Sequence, residues 1–224
     1  MSIPMMAKKD NFELIRDKVA LLLVNESARQ QGLAEDEDED PTPYKLRVFI
    51  ERTNPFDSYL TSSADMGPIV NVWYDGSEFD KSKSNVSDRQ FVTSMITVDC
   101  FAYAQSASTT LGHTSGDEFA AREAQAAARM VRNILMHDDN KYLGFGRGIV
   151  SRRWVRSVDA FLIPNGSPGV QRVRGVRISL EVDHLETTDL MDENMIEFIN
   201  LQIRHASDGE IIAEMDFDYT PEPE

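Results

Sequence analysis

Apolar residues recur along this chain with two periods, one of helices and one of strands. Over residues 11–31, Phe12, Ile15, Val19, Leu22 and Leu23 return at helical spacing, with Asp10 or Asn11 placed to cap the start and Gly32 to stop the run. Over residues 116–137, Ala120, Ala124, Ala127, Val131, Ile134 and Leu135 form one stripe, while Arg122, Glu123, Gln125, Arg129 and Arg132 fall mostly off it. Ser115 and Asp117 are both placed to cap this second helix, and Asp117 and Glu118 put negative charge where the helix dipole favours it. Alanine at the stripe positions lets the helix axis come close to a sheet beneath it.

Between and after these helices the period drops to two. Residues 44–51 alternate through Leu46, Val48 and Ile50, and residues 68–74 form a second strand that Asp75 and Gly76 close. Residues 91–104 supply a third strand, and 149–162 with 170–184 form two long ones joined across Pro164 and Pro168. Residues 195–204 and 210–219 flank Ser207, Asp208 and Gly209, a short hairpin signal, and the last residues form a frayed tail. Residues 52–67 and 77–89 read as long polar loops, and Gly144, Gly146 and Gly148 as a turn. The order predicts one α+β domain over residues 1–224: a mostly antiparallel sheet packed by an N-terminal helix and a central alanine-rich helix, with a C-terminal hairpin and tail over 190–224.

Charge changes the picture in two places. The 23 basic and 38 acidic residues give a net charge of -15, the wrong sign for gripping nucleic-acid phosphates or an anionic membrane. Residues 35–40 are six consecutive carboxylates; with Pro41 and Pro43 after them, 35–43 is expected to be a solvated acidic loop, since the run lacks the glycine and distal glutamate of a calcium-binding loop. Against this background, seven arginines (147, 152, 153, 156, 172, 174 and 177) stand between Arg147 and Arg177 with one acid, Asp159. Either they pair with carboxylates elsewhere in the fold or they meet an acidic partner, including a second copy of this chain.

Site chemistry is sparse. The four histidines, His113, His137, His184 and His205, make no close ligand pair, so no metal or cofactor is expected, and His184 and His205 read as surface or hydrogen-bonded residues. Cys100 sits in an apolar strand, where a thiol acts as a small hydrophobe, and one cysteine forms no intrachain disulfide. The glycine string follows a helix instead of opening one and lacks the lysine of a phosphate-binding loop. No GxSxG elbow occurs. Asp75, Glu78, Asp80, Asp99, Glu181 and Asp183 are carboxylates that the fold could bring together in pairs, which their spacing along the chain does not decide. The expectation is a protein that is not an enzyme, with no membrane span and no export signal.

The series ITVDCFAYA, GDEFAAREAQAAARMVRNILMH, NKYLG, GIVSRRWVRSVDAF and VRGVRISLEVDHLE, spanning residues 94–186, resembles the tail-terminator or tail-completion proteins of bacteriophage necks. The resemblance covers somewhat under half the chain and rests on structural motifs. It implies a subunit that assembles into a homo-oligomeric ring, typically a hexamer, on the last ring of the tail tube protein. Such a ring caps the tube, and the sheath protein where the tail contracts, and faces the head-tail connector or collar. DNA passes through its lumen without specific binding, and the location is the virion neck, assembled in the host cytoplasm. The family offers no catalytic residues to carry over. The acidic run, the long loops and the C-terminal hairpin depart from smaller terminators, which leaves another neck protein (connector, collar or stopper subunit) as the alternative, and a small-molecule binder or enzyme after that. The subunit interface expected from charge comprises Arg152, Arg153, Arg156, Arg172 and Arg174 of the strands, with Arg122, Arg129 and Arg132 of the central helix.

Overall fold

The computed structural model describes residues 9–55, 59, 67–82, 89–109, 112–145, 148–162, 173–187, 201–204 and 211–215. The first helix, α1, spans Asn11–Asp36. Asp10 and Glu13 form a reciprocal capping box at its start, with the Asp10 backbone N–H donating to the Glu13 carboxylate at 3.0 Å. The helix does not stop at Gly32, as the residue type suggests. No other atom lies within 4 Å of where a side chain would begin there, so the glycine costs about 1 kcal/mol of propensity and breaks nothing.

Instead α1 runs into the acidic segment. Glu35 and Asp36 belong to the helix, Asp38 turns into the left-handed region at φ 56°, and the Glu39 N–H donates back to the Ala34 carbonyl at 2.8 Å. The Asp40 carboxylate then accepts from the Thr42 N–H at 2.9 Å and starts a 3-10 turn over Thr42–Tyr44. The run expected as a solvated loop is exposed throughout 35–40, but its first two residues finish the helix, and local carbonyl and Asx bonds hold the turns that follow despite the charge.

The sheet contains β1 (Arg47–Ile50), β2 (Ile69–Asp80), β3 (Arg89–Tyr103), β6 (Val150–Phe161) and β7 (Val173–Thr187), in the order β1-β2-β3-β7-β6. Only β1 and β2 run parallel; the other neighbours are antiparallel. Two small hairpins, β4 (Ala107–Thr109) with β5 (Gly112–Thr114) and β8 (Leu201–Arg204) with β9 (Ile211–Met215), complete the described strands. The C-terminal hairpin is thus present, while its Ser207–Gly209 turn lies outside the described residues. β2 also outlasts its expected end. Asp75 is accommodated as a bulge, so pairing with β3 resumes at Gly76 and continues to Asp80.

The second helix, α2, spans Gly116–Met136. Its stripe is buried as the spacing predicts: Ala120, Ala124, Val131 and Leu135 are fully covered, and Ala127, Ala128 and Ile134 nearly so. α2 lies on β3 and β7, and α1 on β1 and β2. Both helices cover the same sheet face, where Ile15, Val19 and Leu23 meet Val70, Val72, Ile96, Val98, Cys100, Ile178 and Leu180 in one core. On the other face a smaller cluster gathers Tyr59, Ile69, Phe101 and Val173. Gly175 is needed there, since a Cβ would come within 2.5 Å of the Phe161 ring that crosses it to meet Phe101 edge-on.

The alanine stripe makes a direct prediction. Ala124→Leu pushes α2 away from β3 and β7, and is expected to lower stability by about 1–3 kcal/mol, read as a reduced urea midpoint at unchanged slope.

Candidate interaction surface

The structure divides the arginines by what they touch. Arg153, on β6, turns to the C-terminal end of α2, where Nε donates to the Leu135 carbonyl, Nη1 to Lys141 at 2.9 Å and Nη2 to His137 at 2.6 Å. Of these carbonyls, Leu135 is in the last turn of α2, His137 caps it while also accepting from the Asn140 N–H, and Lys141 follows in the next turn; a cation beside the helix end opposes the negative end of the dipole. Burial lowers the Arg153 pKa from its ordinary value. Arg174, on β7, reaches the opposite end of α2 and donates to Asp117 at 2.6 Å. Hydrogen bonds from Ser115 and Arg174 hold the Asp117 carboxyl below the usual carboxylate range.

Arg152 is 2.8 Å from Asp183 and 3.9 Å from Glu181, and it lies over the Trp154 ring at 4.3 Å. Arg177 grips Asp99 with two bonds of 2.8 and 2.9 Å, between the rings of Trp73 and Phe161. Contacts within the fold thus account for four of the strand arginines, Arg152 and Arg177 across strands and Arg153 and Arg174 at the two ends of α2. Arg156 is exposed where the β6 register shifts, and Arg147 and Arg172 lie outside the described residues.

On α2, Arg122 pairs with Glu118 one turn away. Arg129 and Arg132 are exposed and have no side-chain partner among the described residues. The cations left for a neighbour are therefore on the outer face of α2 and at Arg156. β6 forms one border of the sheet, but its two register shifts and its arginines hinder the addition of another strand.

Beneath this surface is a polar line that the sequence did not reveal. His184, expected to be exposed or satisfied, is fully buried on β7 with Nε2 2.8 Å from Ser94 Oγ. Ser94 in turn meets Ser77 Oγ at 2.5 Å, and Tyr74 donates to Ser77 at 2.8 Å. Glu186 lies 3.8 Å from His184 Nδ1, which gives Ser94, His184 and Glu186 the order of a serine-hydrolase triad. Ser94 is wholly buried and its oxygen is engaged by Ser77, so there is no room beside it for a substrate carbonyl. The group instead anchors α1: the Asn11 N–H donates to Glu186 at 3.0 Å and its side-chain amide to the Leu185 carbonyl at 2.6 Å.

Cys100 is fully buried, and desolvation raises its pKa, which keeps the thiol protonated and unreactive. Tyr59 is pushed up to about 12 by burial; its hydroxyl accepts from the Ile69 N–H and lies at hydrogen-bond distance from the Gly67 and Phe101 carbonyls. Among the described residues no group of three or more metal-ligating side chains converges, and no helix is long and apolar enough to cross a membrane. Neither protein-family models nor curated proteins give a match to the chain.

Two tests address these placements. Removing the Arg153 guanidinium in Arg153→Ala takes away three hydrogen bonds to carbonyls at the end of α2 and just beyond it, and is expected to cost about 1–3 kcal/mol in urea unfolding, whereas Arg156→Ala changes stability by less than about 0.5 kcal/mol. Burial lowers the His184 pKa, so the native state holds it neutral while the unfolded chain takes up a proton below about pH 6.5. Its contribution is therefore complete above that pH and is lost as pH falls toward the depressed native value. Unfolding midpoints measured from pH 7.5 to 5.5 should decline for the natural chain and decline less for His184→Gln.

Proposed function

We propose that this protein is a structural subunit of a bacteriophage neck that closes into a ring, ends growth of the tail tube, and joins the tail to the head-side connector. The observation that carries the reading is the unity of the resembling segments. β3, β7 and β6 of that stretch are neighbouring strands that make up one side of the sheet, and α2, from the same stretch, lies across β3 and β7. A ring of identical subunits needs two different patches on each copy. The exposed arginines of α2 and the acidic end of α1 supply charges of both signs on one subunit. The net charge of -15 suits a lumen through which DNA slides without adhering. The partners on this reading are the tail tube protein, the sheath protein in a contractile tail, and the connector or collar.

Negative-stain microscopy and light scattering of the purified chain are expected to give rings, and the chain added to polymerising tube protein should shorten the tubes. A monomer with no effect on tube length would sink the proposal. Rings that ignore tubes and bind only DNA-filled heads would move the protein to the connector side.

A further inference from the structure

We propose that copies of this chain join head to tail, with the acidic end of α1 in one copy, residues 35–40, seated on the arginine-bearing outer face of α2 in the next. The inference rests on the self-assembly part of the reading above and is independent of where in a virion the assembly sits.

The acidic end is the first reason. Like-charged runs ordinarily stay in solvated, mobile segments, where repulsion is relieved by spreading. Here the run is held at a helix C-terminus by the backbone bonds to Ala34 and Glu35 and by the turn at Asp38. That is the negative end of the dipole, where each carboxylate is unfavourable by about 0.3–1 kcal/mol, and the last turn contains no basic residue. Glu35, Asp36, Glu37, Asp38 and Glu39 are exposed and make no ion pair among the described residues. A single copy therefore fixes in place a repulsion that a cationic neighbour relieves.

The second reason is the face offered to it. From Ala124 to His137 the chain contains Arg129 and Arg132 and no acid. Arg122 lies on the same side, ten residues before Arg132, a distance of about 15 Å along the helix. That span matches the 10–12 Å width of a helix end with the turn that follows it. Ala126, exposed between the arginines, keeps the surface low enough for close approach. Arg152, Arg153, Arg174 and Arg177 are engaged within the chain, so among the described arginines of the strands and α2 those open to a partner are Arg129 and Arg132, side by side on α2, and the separate Arg156. The occupant is a second copy because a chain of net charge -15 repels itself except where opposite charges meet, and these two patches provide that meeting.

The test uses two charge reversals in the full chain, Arg129→Glu with Arg132→Glu, and Glu35→Lys with Glu37→Lys and Glu39→Lys, with folding checked by circular dichroism. Each set alone is expected to raise the concentration at the assembly midpoint, followed by light scattering, roughly tenfold or more, since like charges then face each other. Mixing the two sets in equal amounts should restore assembly in alternating copies, because each mutated patch then meets an opposite one. Raising salt to about 1 M, where screening acts beyond about 3 Å, should dissociate the natural assembly. Assembly of either single set at the natural midpoint, or failure of the folded mixture to recover, overturns this pairing and leaves the ring itself standing. A natural chain that stays monomeric at about 0.1 M salt overturns both.

Discussion

The close approach of α2 to the sheet is the constraint on which the rest depends. Ala120, Ala124, Ala127 and Ala128 replace larger core residues along one side of the helix, so its backbone lies near β3 and β7. Such a contact alone leaves a helix free to slide, because small side chains interlock weakly. The two arginines remove that freedom: Arg174 fixes the first turn through Asp117, and Arg153 fixes the last through the Leu135 carbonyl and the two it bonds just past the helix. Both come from β6 and β7, so sheet and helix become one body. The direction in which Arg129 and Arg132 point is then set by the sheet as much as by their own helix.

The same sheet has two polar seams, one on each face. Under the helices, the chain from Tyr74 through Ser77 and Ser94 to His184 ends beside Glu186 and the start of α1. On the other face, Asp99 and Arg177 pair across β3 and β7, with the cation between two aromatic rings. Apolar residues of similar size would stabilise a sheet interior as well or better. What the seams add is selectivity of register, since a slip of one residue would leave His184 and Asp99 buried without partners.

The periodic features were legible in the chain and the non-periodic ones were not. The α2 stripe was readable because six of its buried positions share one spacing, and the α+β order followed from where the period changes. Gly32 misled because helix ends are decided by backbone bonding, and here the bonds that finish α1 come from the acidic segment itself. The arginine cluster was visible as composition, but its division was not: Arg177 finds Asp99 across 78 positions, and Arg174 finds Asp117 across 57. Arg153 takes only backbone carbonyls, which leave no trace in residue types. His184 likewise carried no signal of burial until its strand was placed between β3 and β6.

One inserted residue decides which face the far end of β2 presents. Val70, Val72 and Tyr74 point toward the helices, and strict alternation would send Ser77 and Phe79 to the opposite side. The bulge at Asp75 reverses the parity, so Ser77 stands beside Tyr74 and opposite Ser94. The hydroxyl line to His184, and with it the anchorage of α1, is thus a matter of counting as well as of chemistry. In a lineage of such chains, side-chain substitutions at the solvent-facing Asp75 would be lightly constrained, while loss or gain of a single residue there would exchange the two surfaces of the strand's outer half.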